Sequence, residues 1–433
     1  MTEPTTKESG FRSFPRVFWV VVMMEFFERG SFYGLMSVLS VYMVEATSDG
    51  GLGFSKGSAG LINSVTRPVL YFLPIVAGAV ADRFGYRRTL MVAFTLMSAG
   101  YYLSGQVTSY GWVFAALILM STGAGIFKPI ISGTIARSTH EGNSGLGFGI
   151  FYWTINLGAF LFPLFLVNYL RTHSTWSSIF TASAIGTGVM LLPTIFLYKE
   201  PPKPGSTKTL GQVLRGAFLV LGDWRFVSMI AIYSGFWVLY FQMFDTVLWY
   251  LAAHVDMSPF DAGINAALAA VGISAKFKFD AEHVTVINAG TIIVLQLFIS
   301  ALVKKWRALP TMIGGIAVGT LGFVLLAISA SPWMFMAGIV VFSVGEMTAH
   351  PKFISYVGLV APEDKKATYM GYSFLYGVIG SSVGGYTGAK LYEYFVDGLN
   401  RPRTLWLIFV GLGLATMVGL FLYDKFIAPR PTR

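Results

Sequence analysis

Three charged residues lie close together in a segment of the chain that is otherwise long and apolar. Glu25, Glu28 and Arg29 fall inside the run from residue 15 to 44, which is long enough to cross a bilayer as a helix. Charges at that depth are costly, so they usually pair with one another and face a cavity. Glu25 and Arg29 are four residues apart, which places them on one helical face. The spacing predicts a proton-handling site, and the alternative is a buried ion pair that only fixes helix packing.

Two basic residues fall in other apolar segments. Arg67 lies one turn before Tyr71 on the same predicted helical face. It could bind a carboxylate, or its side chain could extend outward to the membrane surface. Lys128 lies in a Gly-rich segment directly before Pro129. That setting favours a cavity over a snorkelling lysine, and an ammonium group at this depth must either find an acidic partner or release its proton.

Acidic residues also occur in the apolar segments of the second half. Asp245 is the only acid in the seventh segment, where it could pair with a basic residue or face the external vestibule. Glu346 lies halfway along the tenth, and His350 follows one turn later, a spacing that could relay protons although a lone His is more often structural. Uncharged polar residues could line the same cavity or only bond between helices. They are Tyr33, Tyr71, Tyr152, Asn156, Asn288 and Gln296.

The elements that position these residues are predicted to be membrane-spanning helices. The 433 residues are 55% hydrophobic and only 12% charged, whereas soluble domains are about 25% charged. An all-α membrane protein with twelve transmembrane helices is predicted. The predicted spans are 15–45, 57–81, 89–107, 110–137, 144–170, 175–198, 223–254, 283–303, 308–330, 332–361, 367–396 and 403–426. A short surface helix is predicted from Ser258-Pro259 to about residue 271.

The net charge of +10 is distributed over alternate loops, which indicates membrane orientation and argues against nucleic-acid binding. We expect both termini in the cytoplasm, no cleavable signal peptide, and insertion in the plasma membrane, which is the inner membrane of a bacterium. The basic loop residues are Arg83, Arg87, Arg88, Lys199, Lys203, Lys208, Arg215, Lys304, Lys305, Arg307, Lys365, Lys366, Lys425, Arg430 and Arg433.

The chain is predicted to consist of two halves. Residues 1–198 would form a first six-helix bundle, 199–222 a basic cytoplasmic linker, and 223–433 a second six-helix bundle. The fourth and tenth spans each combine a small residue, an ionisable side chain and a proline near mid-membrane. Such repeats with interrupted helices are typical of secondary transporters, whose site lies between the repeats.

The loop after the second span carries a recognisable motif. Gly78 followed by Asp82-Arg83-Phe84-Gly85-Tyr86-Arg87-Arg88 resembles the signature loop of the major facilitator superfamily. That resemblance implies the major facilitator fold. It also implies that Asp82, Arg83, Arg87 and Arg88 latch neighbouring helices at the cytoplasmic gate.

Further motifs resemble those of the proton-dependent oligopeptide transporters (POT) within that superfamily. Glu25-x-x-Glu28-Arg29 with Tyr33 resembles their first-helix motif, and Gly123 to Pro129 resembles their fourth-helix motif. The stretches from Phe151 to Ala159 and from Gly345 to Tyr356 resemble those of helices five and ten. The resemblance implies that Tyr71 lines the substrate site and that Glu346 meets a substrate amino group.

Two positions depart from the POT pattern. Met36 stands where the family usually has a second Arg that binds the peptide carboxylate. Phe241 stands where the family has a seventh-helix acid that pairs with the fourth-helix Lys. Arg67 is the expected replacement for the missing Arg, and Asp245, one turn beyond Phe241, is the expected replacement for the missing acid. The sequence therefore predicts a Lys128–Asp245 pair across the two halves.

The predicted function is a proton-coupled symporter of small peptides or similar compact zwitterionic or anionic metabolites. A proton-driven exporter of amphipathic drugs or siderophore-like compounds is the alternative, because Met36, Phe241, Met243 and Phe244 would give an apolar lining. An enzyme is not expected, since the chain has no Cys, five His and no phosphate-binding G-x-x-x-x-G-K-[ST] motif. We expect no cofactor and no metal. The expected partners are a small-molecule substrate, protons and the lipid bilayer, with a monomer as the assembly.

Overall fold

Twelve long helices, α1 to α12, make up most of the chain in the computed structural model, which describes residues 10–140, 142–200, 210–274, 276–362 and 365–429. They are α1 Arg16–Val44, α2 Lys56–Phe84, α3 Tyr86–Gln106, α4 Tyr110–Arg137, α5 Ser144–His173, α6 Trp176–Phe196, α7 Trp224–His254, α8 Ala281–Val303, α9 Ala308–Ile328, α10 Pro332–Val360, α11 Lys366–Tyr372 with Leu375–Tyr392, and α12 Pro402–Phe426. The predicted loop residues Lys203, Lys208, Arg430 and Arg433 lie outside the described residues.

Nine of the helices in the described part of the chain are long and apolar enough to cross a membrane by composition alone. The remaining three are α1, which contains Glu25, Glu28 and Arg29, α3, which is rich in Ser and Tyr, and α11, which is interrupted near Ser373. All three pack among the other nine. The predicted all-α membrane protein of twelve helices is therefore confirmed.

Three of the spanning helices are irregular where they carry polar contacts. Helix α7 is interrupted between Gln242 and Thr246, which places Asp245 at the start of its second half. Helix α5 contains a π-helical turn at Phe162–Val167, and a second π-helical turn at Glu393–Gly398 continues α11. Such turns change the direction of side chains within a helix and are frequent at functional sites.

The twelve helices form two six-helix bundles, α1–α6 and α7–α12. Close packing inside the second bundle depends on Gly345 of α10, where an added Cβ would collide with the backbone of α9. Between the bundles, α2 packs along α11 and α5 packs along α8. At Gly60 of α2 an added Cβ would lie 2.5 Å from the carbonyl oxygen of Gly385 in α11. Small residues thus let the two bundles approach at backbone distance.

The two faces of the protein are distinguished by the connections. We call the face where α1 begins and α12 ends the terminal side, and the opposite face the far side. The described part of the predicted linker contains a helix, Leu210–Leu221, on the terminal side. On the far side a surface helix, Ser258–Ala270, joins α7 to α8, so the prediction of a short helix from Ser258 is confirmed.

Candidate functional site

The charged cluster of α1 is buried inside the first bundle. Arg29 is 4% exposed, and its Nε and Nη2 atoms donate to the two carboxylate oxygens of Glu28, the second at 2.6 Å. Glu25 lies on the next turn, with its Oε1 atom 3.6 Å from Arg29 Nε. The guanidinium carbon also lies 4.8 Å from the ring centre of Phe32. One cation therefore faces two buried carboxylates, so a proton on either of them would balance the charge of the cluster.

Lys128 of α4 lies beside this cluster but makes no ion pair within 4.0 Å in the described part of the chain. Its Nζ atom lies 4.7 Å from the ring centre of Tyr71 in α2. The charges of Glu25, Glu28 and Arg29 act on it at longer range. The half-buried ammonium group therefore contacts an aromatic face and interacts with the charges of the α1 cluster only at longer range.

Glu346 of α10 is a half-buried ionisable group of the second bundle, in the helix that corresponds to α4 of the first. Its Oε2 atom accepts a hydrogen bond of 3.0 Å from Asn288 Nδ2 in α8, and Asn288 also donates to Ser343 Oγ at 2.9 Å. No cation lies within 4.0 Å of it among the described residues. His350, one turn further, lies 3.4 Å from the hydroxyl of Tyr233 and does not contact Glu346 in this conformation.

Tyrosines occupy the space between the charged groups of the two bundles. Tyr33 and Tyr71 lie near enough to both Arg29 and Glu346 for their charges to act on the phenol groups. Tyr152 of α5 lies near Glu346 in the same way. Asn156 instead donates to the carbonyl oxygen of Tyr152 at 3.0 Å, within its own helix. Its predicted role as a substrate contact therefore remains a prediction.

Asp245 is the centre of a second buried network, which joins the bundles on the far side of the Glu25–Arg29 cluster. Arg67 Nη1 and Nη2 donate to its two oxygens at 2.7 and 2.8 Å. Ser40 Oγ and Asn63 Nδ2 donate to Asp245 Oδ1 at 2.5 and 2.9 Å. Trp249 Nε1 donates to the carbonyl oxygen of Ser40 at 2.8 Å. Helices α1, α2 and α7 are thereby held together by one carboxylate.

This network corrects the predicted Lys128–Asp245 pair, because Asp245 pairs with Arg67 in this conformation. Both terminal nitrogens of Arg67 donate to Asp245, so a substrate carboxylate would compete with Asp245 for this guanidinium. The physical reason is depth in the membrane. Arg67 lies one turn to the far side of Tyr71 and reaches Asp245, whereas Lys128 contacts the Tyr71 ring beside the α1 cluster.

We expect Lys128→Ala and Asp245→Ala to reduce transport independently, because the two side chains belong to separate networks. The free-energy losses in uptake rate should add in the double variant. Arg67→Ala and Asp245→Ala should not add, since either change removes the same ion pair. The measurement is uptake into proteoliposomes by the three single variants and the two double variants. Losses that do not add for Lys128→Ala and Asp245→Ala would support the Lys128–Asp245 pair that the sequence predicts.

Further ion pairs close the far side between the bundles. Lys56 Nζ at the start of α2 lies 2.8 Å from Asp397 in the π-helical turn after α11. Arg171 of α5 lies 2.8 Å from both Asp280 and Glu282 at the start of α8. Within the described residues, every ion pair that joins the two bundles lies in the far-side half. The structure therefore has its far side closed.

Comparison with known sequences identifies the family of this arrangement. Residues 19–281 and 278–433 match the sequence profile of the Major Facilitator Superfamily. The chain belongs to the Major Facilitator Superfamily. Its twelve helices are those of a superfamily of membrane transporters, and the superfamily membership predicted from the Gly78–Arg88 loop is confirmed.

Individual relatives of this superfamily chain agree with the POT resemblance. The di-/tripeptide transporter of Lactococcus lactis subsp. lactis (strain IL1403) is 30% identical over 250 residues, which cover 54% of this chain and 48% of that protein. The uncharacterized transporter YclF of Bacillus subtilis (strain 168) is 32% identical over 182 residues, which cover 41% of this chain and 37% of that protein. The matches thus span less than half the length of each relative.

A solved structure has the same fold over nearly the whole length. The crystal structure of a POT family transporter in complex with 5-aminolevulinic acid gives a TM-score of 0.78, with 97% of this chain and 98% of that chain covered at 21% identity. The predicted major facilitator fold is therefore confirmed.

The superfamily signature loop makes contacts inside the first bundle. Asp82 accepts a hydrogen bond of 2.8 Å from Arg137 at the end of α4. Arg87 donates to the carbonyl oxygens of Thr194 and Ile195 at the end of α6. Arg83 packs over the ring of Phe84, and Arg88 lies at a groove on the outer surface of the bundle. The loop thus fastens α2 and α3 to α4 and α6, and its predicted role at a cytoplasmic gate stays a prediction.

Several residues of these networks were not singled out from the sequence. Ser40, Asn63 and Trp249 surround Asp245, and Ser343 contacts Asn288. Neutral polar residues in apolar helices can bond within their own helix or to a neighbouring one, so their type alone does not identify the partner. Arg137 could have been found, because it lies in the last turn of a helix that ends on the same side as Asp82.

Proposed function

We propose that the protein is a proton-coupled transporter of small peptides or similar compact zwitterions. The terminal side would face the cytoplasm of a bacterial inner membrane, in accord with the basic residues of the connections on that side. The closed far side would then be the external gate, and the protein would work as a monomer.

The observation that carries the proposal is the pair of unmatched charges on opposite bundles. Lys128 on α4 and Glu346 on α10 each lie at membrane depth without an ion-pair partner within 4.0 Å among the described residues. Leaving a charge unpaired at this depth costs several kcal/mol, by order of magnitude. A zwitterion with its carboxylate toward Lys128 and its ammonium group toward Glu346 would neutralise both. Binding would therefore draw the two bundles together around the substrate.

The α1 cluster supplies the proposed proton site. Arg29 balances only one of the two carboxylates of Glu25 and Glu28, and Lys128 is the next cation. A proton on Glu25 would leave the Glu28–Arg29 pair intact and would change the charge that Lys128 experiences. Substrate and proton would then favour the same conformational state, each by its difference in affinity between the two states.

The relatives support this substrate class. The di-/tripeptide transporter of Lactococcus lactis and the peptide transporter YePEPT of Yersinia enterocolitica match 54% and 44% of this chain at 30% and 31% identity. Because Met36 stands where the POT family usually has a second Arg, Lys128 would be the cation that contacts the substrate carboxylate. A single contact of this kind would favour short substrates.

Peptide derivatives test the proposed substrate orientation. We expect Glu346→Gln to lower uptake of dialanine at least tenfold while changing little for N-acetyl-dialanine, which has no ammonium group. Lys128→Gln should lower the uptake of dialanine while changing little the uptake of dialanine amide, which has no carboxylate. Uptake into proteoliposomes under an imposed inward proton gradient measures both. Equal losses for all three compounds in both variants would contradict the orientation.

The driving force is tested in the same vesicles. Uptake should stop when a protonophore dissipates the gradient, and replacement of sodium by potassium should have no effect. An exporter of amphipathic compounds remains the second candidate, because Tyr71, Trp237, Phe241 and Tyr376 form a contiguous aromatic lining. Saturable proton-driven movement of a lipophilic cation without peptide uptake would favour it.

A further inference from the structure

A deep groove on the outside of the second bundle is not used by the proposed transport mechanism. It lies between α8, α9 and α10 near the terminal side and has a volume of about 600 Å³. Apolar side chains line most of it, and the two threonines in its wall donate to carbonyl oxygens of their own helices. Its apolar lining residues include Ile299, Leu302, Val303, Pro310 and Val318.

The groove opens toward the bilayer and not toward the cavity between the bundles. Leu297 and Phe298 on the neighbouring face of α8 are 83% and 66% exposed, as expected for side chains that contact lipid. Gly314 of α9 forms part of the floor, and an added Cβ there would meet no atom within 4 Å. The missing side chain therefore keeps the groove empty for a flexible apolar occupant.

The mouth of the groove is basic. Lys304, Lys305 and Arg307 lie in the short connection between α8 and α9, next to the lining residues Val303 and Trp306. Both lysines are exposed directly after the last residue of α8, where the apolar span ends on the terminal side.

A fourth cation belongs to the same mouth. Lys352 of α10 donates to the carbonyl oxygens of Lys304 and Trp306, at 3.4 and 2.8 Å. Asp424 lies 3.3 Å from Arg307 and offsets one of the four positive charges. A basic rim above an apolar groove matches a phosphate headgroup with an acyl chain below it.

A smaller groove occurs at the corresponding place in the first bundle. It lies between α2, α3 and α4, has a volume of about 410 Å³, and is lined by Leu73, Val80, Phe84 and Arg88. Since α2–α4 and α8–α10 are equivalent in the six-plus-six arrangement, the groove is a repeated feature of the fold. The groove of the second bundle is larger and has more cations at its rim.

We propose that the groove between α8, α9 and α10 binds an anionic phospholipid, with one acyl chain along Gly314 and the phosphate among Lys304, Lys305 and Arg307. The lipid would belong to the leaflet on the terminal side. It would fill the space between α8 and the α9–α10 pair and so stabilise the second bundle. The site is separate from Lys128 and Glu346, and the proposal does not depend on the transported substrate.

Native mass spectrometry of the detergent-purified full chain tests the site. The probes are dioleoyl phosphatidylglycerol, dioleoyl phosphatidylcholine with the same chains, and water-soluble glycerol phosphate. We expect phosphatidylglycerol to bind more tightly than phosphatidylcholine, and glycerol phosphate not to compete. Lys304→Gln with Lys305→Gln should reduce the preference for phosphatidylglycerol about fivefold for each charge removed. Gly314→Phe should weaken both lipids, because the ring would occupy the path of the acyl chain.

Matched variants separate this site from general effects. Gly411→Phe places the same ring on the outer face of α12, where an added Cβ also meets no atom within 4 Å, and should leave binding unchanged. Arg16→Gln with Lys199→Gln removes two exposed terminal-side charges next to the first bundle and should also have no effect. The lysine variants keep the test decisive if Gly314→Phe fails to fold. Equal affinity for the two lipids, equal effects of both charge variants, or competition by glycerol phosphate would overturn the proposal.

Discussion

Asp245→Ala is expected to open the far side of the protein. Asp245 is fully buried and is the only anion in contact with Arg67 within the described residues. Its removal leaves the Arg67 guanidinium, which is 6% exposed, without a partner in the closed state. Removing one partner of a buried ion pair costs about 3–5 kcal/mol. A loss of that size shifts a two-state equilibrium by roughly a hundredfold or more toward the state in which Arg67 can reach water.

Cysteine labelling measures the opening without background, because the natural sequence contains no Cys. Ser64→Cys is a suitable reporter. Ser64 lies on the far-side half of α2, is 9% exposed, and accepts a hydrogen bond from the Tyr386 backbone of α11. In nanodiscs, a polar maleimide should label this cysteine slowly in the parent and at least tenfold faster with Asp245→Ala. Gly111→Cys, at the exposed start of α4, should be labelled at the same rate in both.

A double apolar replacement tests whether faster labelling comes from the unpaired Arg67 charge or from the loss of the Asp245 side chain. Arg67→Met with Asp245→Leu removes both charges, and such replacements are often neutral or stabilising. This double variant should therefore restore slow labelling of Ser64→Cys. Labelling of Asp245→Ala at the parent rate would mean that Lys56–Asp397 and the Arg171 contacts close the far side without the Arg67–Asp245 pair.

Arg29→Ala is expected to abolish proton-driven uptake and to lower the denaturation temperature. Glu28 has no exposed surface, and Arg29 supplies both hydrogen bonds to its carboxylate. The variant leaves two buried carboxylates, Glu25 and Glu28, and Lys128 is the other cation whose charge acts on Glu25 among the described residues. The destabilisation expected for one uncompensated buried charge is about 3–5 kcal/mol.

The neutral variant Glu25→Gln with Glu28→Gln and Arg29→Met distinguishes a proton site from a packing contact. Because it leaves no unpaired partner, its denaturation temperature should return toward that of the parent. Uptake driven by a proton gradient should stay at the background level. The measurements are a thermal denaturation curve in detergent and uptake in proteoliposomes from the same preparation. Normal uptake by a stable neutral variant would show that the cluster only fixes the packing of α1, the alternative that the sequence leaves open.

The sequence predicts elements better than it predicts contacts between them. The twelve spans follow from hydropathy, because every backbone group in a bilayer must be bonded within its own helix. The Glu28–Arg29 contact and the nearness of Glu25 are local, so spacing along one helix was enough. The partner of Asp245 required the lateral arrangement of α1, α2 and α7, which no periodicity encodes. Lys128 and Arg67 are both cations in apolar helices of the first half, so the choice between them depended on the resemblance.

The π-helical turns of α5 and α11 could not be predicted from the sequence. Both occur near the far-side ends of equivalent helices, and the residues within or after them, Arg171 and Asp397, reach across to the other bundle. A wider turn adds one residue to the helical repeat and has no clear sequence signal apart from Pro163 in α5. The predicted spans 144–170 and 367–396 therefore include the first turn and most of the second without distinguishing them.

The ion pairs between the bundles have a polarity that bears on how the halves find each other. Within the described residues the first bundle supplies all the cations, Lys56, Arg67 and Arg171, and the second supplies all the anions. Two copies of the same half would present like charges and repel, whereas unlike halves attract. The charges at the interface thus favour pairing of a first half with a second half. If the chain is divided between α6 and α7 and the halves are expressed as separate polypeptides, complementary association should reconstitute one heterodimer and exclude both homodimers.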